Sequence, residues 1–254
     1  MTEKTIDFGF EEIPESQKAS RVRGVFDSVA GNYDLMNDAM SLGIHRVWKN
    51  MTITKLNPQP GEALLDVAGG TGDLARRFIH AADDVRQRRG GAAASAIICD
   101  INAEMLLAGV DEKKDEGLDL SRVCGDAQNL PFPDETFDAV TIAFGIRNVT
   151  NRDLAIREFL RVLKPGGRLA VLEFSTPPTR WLRQFYDAYS FSVIPALGQA
   201  LADDRDSYQY LVESIRRFPK QAQFAEMVRQ AGFSRVSYED FSGGIAALHT
   251  GWKI

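Results

Sequence analysis

Residues 64 to 72 read Leu-Leu-Asp-Val-Ala-Gly-Gly-Thr-Gly, an apolar run that reaches an acidic residue and opens into a turn nearly free of side chains. Asp73-Leu-Ala-Arg-Arg-Phe then starts a helical pattern. A strand, a glycine turn and a helix in that order form the unit on which α/β proteins cradle nucleotide-like ligands. Gly69, Gly70 and Gly72 are the positions expected to adopt positive φ and to let backbone approach a ligand.

From residue 63 onward, apolar runs and helical patterns alternate, as they do when parallel strands are joined by crossover helices. Strands are expected at Ala63 to Val67, Ser95 to Cys99, Arg122 to Gly125, Phe137 to Phe144 and Arg168 to Phe174. Helices are expected from about Gly72, from Ala103 to about Lys114, and from Asp153 to Leu163, where Lys164-Pro-Gly-Gly supplies a stop and a turn. Asp83 to Ala94, with Arg-Gln-Arg-Arg-Gly-Gly, reads as an extended surface loop. A helix near Lys220 to Gln230 and two strands, Arg235 to Asp240 and Ile245 to Trp252, close the chain. The fold class is α/β: a doubly wound, mostly parallel seven-stranded sheet. The expected organisation is one domain over 1–254, with a helical cap at 15–56, a cofactor-binding core at 63–174, an inserted helical lid at 180–215 and a closing unit at 220–254. The cap carries Phe26, Tyr33, Met36, Met40 and Trp48.

At 44% hydrophobic and 26% charged residues, 254 residues can bury a sizeable core. A formal net charge of −5 gives no electrostatic footprint for nucleic acid. Cys99 and Cys124 lie among apolar residues at strand ends and read as buried thiols of a reducing compartment. His45, His80 and His249 are not at metal-ligand spacing, so no metal is expected. The first twenty residues are acidic and lack an apolar run, which points to the cytoplasm.

The glycine spacing narrows the ligand. A dinucleotide fingerprint needs glycines at 68, 70 and 73, where this chain has Ala68, Gly70 and Asp73. A pyrophosphate would meet a carboxylate at the helix start. A cationic adenosine compound without phosphates suits the turn better, and S-adenosylmethionine, a sulfonium, is the common one. Ligands of doubly wound sheets sit beyond the carboxyl ends of the strands, and those ends are acidic here. Asp66 can hold the loop or attract the sulfonium, Asp100 with Ile101 beside it can take two ribose hydroxyls, and Asp126 can accept from an adenine amino group. After the fourth strand, Arg147 and Asn148 should project toward the same crevice, where an Arg needs an acceptor to offset its desolvation.

Longer stretches carry a resemblance. Tyr33-Asp-Leu-Met-Asn-Asp-Ala-Met-Ser-Leu-Gly-Ile-His-Arg-Val-Trp resembles the N-terminal signature of the ubiquinone/menaquinone biosynthesis C-methyltransferases, the UbiE-like family. Arg161-Val-Leu-Lys-Pro-Gly-Gly-Arg-Leu-Ala-Val-Leu-Glu-Phe-Ser resembles its second signature. Asp66-Val-Ala-Gly-Gly-Thr-Gly-Asp, Leu130-Pro-Phe-Pro-Asp and Phe144-Gly-Ile-Arg-Asn-Val are similar to the family as well, so the likeness runs from about residue 20 to the C-terminus. It implies a Rossmann-like class I methyltransferase that methylates a ring carbon of a polyprenylated quinol, either 2-methoxy-6-polyprenyl-1,4-benzoquinol or demethylmenaquinol. Its cofactor contacts fall on Thr71, Asp100 and the pair Asp126-Ala127. A family serine two residues before the Phe-Gly-x-Arg-Asn glycine is replaced by Ala143, so that contact is lost or moves to backbone.

The implied chemistry is in-line methyl transfer to an electron-rich carbon beside an ionised phenol. A phenol of pKa ~10 is only about 0.1% ionised at neutral pH. Arg147 with Asn148 is expected to stabilise that phenolate, and Tyr33 to orient the ring or relay a proton. Trp181, Phe185, Tyr186, Tyr189, Phe191 and Ile194 are candidates for binding the tail or contacting the inner face of the membrane, or else for an ordinary buried helix. Association with other quinone-biosynthesis enzymes and a homodimer are further expectations. Three rivals stay open: a methyltransferase of a small soluble substrate, a non-catalytic cofactor- or quinone-binding scaffold, and, most weakly, a nicotinamide-dependent oxidoreductase.

Overall fold

The computed structural model describes residues 4–29, 38, 41, 43–202 and 205–254. Seven strands form one sheet: β3 (Ala63–Val67), β4 (Ser95–Asp100), β5 (Asp119–Cys124), β6 (Phe137–Ala143), β7 (Leu163–Phe174), β8 (Ser234–Phe241) and β9 (Ala246–Trp252). Their order across the sheet is β5-β4-β3-β6-β7-β9-β8. The first five are parallel, and β9 is antiparallel to both its neighbours. The order reverses beside β3, where β4 lies on one side and β6 on the other, so the carboxyl end of β3 opens at a topological switch point. A short hairpin, β1 (Thr5–Phe8) and β2 (Glu11–Pro14), precedes the sheet and was not foreseen from the sequence.

Both faces of the parallel strands are covered, which is why these strands read as continuous apolar runs. Leu64 and Ile98 face one core with Leu74, Ala75, Phe78 and Ile79 of α3 (Asp73–Arg89). Leu65, Val67, Val140 and Ile142 face the other with Ala155, Ile156, Phe159 and Val162 of α6 (Arg152–Val162). That spacing puts four apolar side chains on one face of α6, and Asn151 caps it by accepting from Leu154 N at 3.1 Å. Each large side chain buried there contributes roughly 1.5–3 kcal/mol.

Three expectations are corrected. The stretch 83–94 is not an extended loop, because α3 continues to Arg89 and only Gly90 to Ala94 link it to β4. Ala82 is buried on its inner face, Arg86 pairs with Asp83 at 2.8 Å one turn away, and Gly90 ends the helix at φ 77°. The helix expected to run from Ala103 to Lys114 breaks into α4 (Ala103–Ala108) and α5 (Glu112–Asp115). Gly109 stands at the break against the Thr71 backbone, where an added Cβ would come within 2.6 Å of Thr71 Cα. Of the two thiols, Cys99 is buried but Cys124 is exposed, because it ends β5 at the open edge of the sheet.

Before the sheet come α1 (Glu15–Val29) and α2 (His45–Leu56). After β7 come α7 (Arg180–Ala202), α8 (Arg205–Arg217) and α9 (Gln221–Gln230). Among the described residues, no helix is long and apolar enough to cross a membrane.

Candidate active site

The turn after β3 places its glycines for two different reasons. Gly70 and Gly72 adopt φ 49° and 81°, where a side chain would be strained. Gly69 does not; its constraint is space, since a Cβ would lie 2.8 Å from Ile98 Cγ2 and 2.9 Å from Asp66 Oδ2. The third left-handed residue is instead Ala68, at φ 49°. Thr71 closes the turn through its carbonyl, which accepts from Arg76 Nη1 at 2.7 Å.

Beyond these strand ends lies a crevice with about 830 Å³ of space free of atoms, part of it open to solvent. Gly70, Asp100, Ile101, Asp126, Ala127 and Asn148 all line it. Asp100 Oδ2 accepts from Gly70 N at 3.0 Å and Oδ1 from Asn102 N at 2.9 Å, so each oxygen keeps capacity to accept another hydrogen bond. Burial pushes the Asp100 carboxyl up, while the backbone N–H groups of Asn102, Gly70 and Ile101 pull it back. Asp126 is oriented by Gln128, whose backbone N donates to Oδ1 at 2.9 Å. The roof is α1, with Val22, Arg23 and Phe26 over the crevice, and it is tied to the floor by Asn102 Nδ2 donating to Asp27 Oδ1 at 2.7 Å.

A smaller recess adjoins the crevice and shares Ala68 and Phe144 with it. Lys49, Asp66, Gly69, Thr71, Asp73 and Ala143 line it. Trp48 positions this Lys by packing edge-on against Phe174 at 5.9 Å and donating from Nε1 to Ser242 Oγ at 3.0 Å. Lys49 Nζ donates to Asp73 Oδ2 at 2.9 Å, and Arg77 Nε donates to the other oxygen at 2.9 Å. Burial works against the Asp73 charge, but Lys49 and Arg77 outweigh it and hold the carboxyl low. The carboxylate at the helix start is therefore matched by two cations. Asp66 is 1% exposed; Oδ1 accepts from Thr141 Oγ1 at 2.7 Å, and Oδ2 has no partner. Burial pushes this carboxyl up to about 7.

Arg147 and Asn148 share a 3₁₀ turn, Ile146–Asn148, yet point differently. The Arg147 guanidinium is 1% exposed and turned away from the crevice: Nη1 donates to Glu173 Oε1 at 2.7 Å and to Phe144 O at 2.6 Å. The expectation that Arg147 projects toward ligand is corrected, because Glu173 on the adjacent strand is a closer and buried counter-charge. That pairing holds Phe144 at φ 57°, where its ring walls both cavities. Asn148 faces the crevice. Its Oδ1 accepts from Tyr210 O–H at 3.1 Å, while its Nδ2 is buried without a partner. Tyr33 lies outside the described residues.

Lys49, Glu173, Tyr210 and Phe144 escaped the sequence reading as site-building residues. Glu173 had a signal, a lone acid inside an apolar strand that must meet a buried cation. Tyr210, 62 residues from Asn148, had none.

Over residues 14–253 the chain matches the sequence pattern of the ubiE/COQ5 methyltransferase family. It belongs to that family. A ubiquinone/menaquinone biosynthesis C-methyltransferase UbiE of Caulobacter vibrioides (strain NA1000 / CB15N) is 56% identical to it over 254 residues, covering 100% of both chains. The protein of that name from Ruegeria sp. (strain TM1040) is 54% identical over 259 residues, again covering 100% of both. Among solved structures, the [4+2]-cyclase SpnF superposes with a TM-score of 0.65 at 20% identity, covering 92% of this chain and 96% of that one. A SAM-dependent methyltransferase from Thermotoga maritima does so with a TM-score of 0.59 at 19% identity, covering 91% and 99%. These structural likenesses establish the Rossmann-like methyltransferase fold; the sequence relatives establish this chain as a methyltransferase.

Proposed function

We propose that this methyltransferase uses S-adenosylmethionine to methylate a ring carbon of a polyprenylated quinol, as the names of its relatives suggest. The observation that carries the reading is the crevice itself: Asp100 and Asp126 stand ready to accept from a nucleoside, and Asn148 lines the same space with its Nδ2 buried and without a partner. An amide N–H2 in that position suits a phenolic oxygen of the acceptor ring. The residues present fit the cofactor: the two carboxylates match ribose and adenine donors, and the tight backbone at Gly69 and Gly70 admits close approach. When bound, S-adenosylmethionine supplies an electrophilic methyl group.

Asn148 is the direct contact to the developing phenolate, with its amide oriented by Tyr210. Burial pushes the Tyr210 phenol up to about 12, against Arg147 and Arg152, so it remains a donor at working pH. Arg147 positions the site from behind by fixing Phe144 and the turn that carries Asn148. Tyr33 orients the ring or relays a proton. Thr71, Ile101, Ala127 and Ala143 complete the cofactor surface together with Asp66, Gly69, Gly70 and Gly72.

We assign the tail to α7, where Trp181 and Phe185 are 69% and 70% exposed one helical turn apart, while Tyr186 and Ile194 are buried. An exposed aromatic pair beside Arg180 and Arg183 suits the inner face of a membrane. Purified protein with labelled S-adenosylmethionine and either demethylmenaquinol or 2-methoxy-6-polyprenyl-1,4-benzoquinol should transfer label to at least one ring. Retained cofactor binding with transfer to neither would overturn the substrate assignment.

A further inference from the structure

Behind Asn148 the chain gathers more positive charge than it neutralises. Arg147 is matched by Glu173. Arg152, the first residue of α6, sits against the same turn: its Nη2 donates to Arg147 O at 3.0 Å, and its Nε is buried without a partner. Lys18 of α1 adds a third cation and is only 2% exposed, although a lysine is rarely buried unless its charge is paired. Ala19 beside it in the roof and Thr150 just before α6 both line the crevice. The charged groups facing Lys18 are Arg152, a like charge, and Asp7 of β1, whose carboxylate is 43% exposed and shared with Arg217 at 4.0 Å. Burial and Arg152 push the Lys18 ammonium down to about 8, against Asp7, so it keeps its charge at neutral pH. Holding two like charges together out of water is costly, and no contact of the crevice described above uses either of them.

Tyr210 connects this charge to the site. Arg147 and Arg152 both act on its phenol, and its O–H donates to Asn148 Oδ1 at 3.1 Å. Positive charge on that side polarises the hydrogen-bonded amide, and its unpartnered Nδ2 becomes a better donor to an anion. We propose that Lys18, together with Arg152, supplies the positive charge that favours the ionised form of an acceptor phenol bound at Asn148. Both are positioning residues, which act through Tyr210 and the amide without touching the ring. The inference rests on the reading of Asn148 as the phenol contact and deepens it, since an acceptor without a developing negative charge would gain nothing from the cations.

Absorbance titration of a nitrophenol with a short prenyl tail, bound in the presence of S-adenosylhomocysteine, reads the ionisation directly. On wild-type protein the probe should ionise about one pH unit or more below its value in water, the effect of a nearby opposite charge. Lys18→Met should raise that value by about one pH unit, roughly a tenfold loss of ionised probe, while the neutral probe binds within about twofold of wild type. Lys18→Arg keeps the charge and should ionise the probe close to the wild-type pH. A Lys18→Met protein that does so as well overturns the assignment and leaves Asn148 as the phenol contact. Should Lys18→Met fold poorly, Arg152→Gln should shift the probe in the same direction, and no shift overturns the proposal. A probe that ionises on wild-type protein no lower than in water overturns it too. Failure of wild type to bind the probe, with S-adenosylhomocysteine still bound, removes the acceptor reading, and this proposal with it.

Discussion

Replacing Asp66 by asparagine exchanges a buried carboxylate for a neutral side chain of the same shape, and the expected effect on stability changes with pH. Burial raises the Asp66 carboxyl from 3.8 to about 7, against the hydrogen bond from Thr141 and the charge of Lys49. Below pH ~4 the group is protonated in both folded and unfolded chains and costs nothing. As pH rises from about 4 to about 7 the unfolded chain gives up its proton first, so stability is lost progressively and the loss is complete above about 7. At about 1.4 kcal/mol for each pH unit of that displacement, the full cost is about 4 kcal/mol. The introduced amide keeps an oxygen for Thr141 but places an N–H2 where Oδ2 lacks a partner, which costs about 1–3 kcal/mol at every pH. Asp66→Asn should therefore be more stable than wild type by about 1–3 kcal/mol at pH ~8 and less stable by up to about 2 kcal/mol near pH ~4.5, where the wild-type carboxyl has cost only about 1 kcal/mol. Urea unfolding at the two pH values reads the difference directly, since titrating groups distant from Asp66 cancel in the comparison. A variant whose stability difference from wild type is the same at both pH values would refute the reasoning.

Tyr210→Phe removes the donor that orients Asn148 and should lower kcat about three- to tenfold with little change in S-adenosylhomocysteine affinity, checked by steady-state rates and calorimetry. Glu173→Gln breaks an ion pair whose two side chains are each 1% exposed; the uncompensated guanidinium should cost about 3–5 kcal/mol, seen as a Tm lowered by roughly 10 °C in a thermal scan. Gly69→Ala puts a methyl group 2.8 Å from Ile98 Cγ2 without straining φ, and should cost about 1–3 kcal/mol in denaturant unfolding. Trp181→Ser combined with Phe185→Ser should reduce sedimentation with anionic vesicles and raise KM for a long-tailed quinol while leaving KM for a short-tailed one unchanged.

The sheet was legible because parallel strands buried on both faces must be largely apolar, and Leu64-Leu65, Ile97-Ile98 and Ala139-Val140 are. The carboxylates at strand ends were legible for the same reason: Asp66 and Asp100 interrupt such runs where the ligand edge begins. Helix limits were harder to read. Arg-Gln-Arg-Arg before Gly90 looks like loop, but those residues are good helix formers, and α3 carries them to Arg89 with Arg86 and Arg88 bonded back to the preceding turn. Side-chain direction was harder still. Arg147 and Asn148 are neighbours in sequence, yet one turns to a strand and the other to the crevice, because Glu173 and Tyr210 come from 26 and 62 residues away. Tertiary partners of that kind leave no local pattern.

A quinol deuterated at the acceptor ring position distinguishes methylation at carbon from methylation at oxygen. Enzyme, S-adenosylmethionine and this substrate should give a product that has gained a methyl group, kept both hydroxyls and lost the ring deuteron, with S-adenosylhomocysteine formed in equal amount. A methylated product that retains the ring deuteron would carry its methyl group on oxygen and contradict the account.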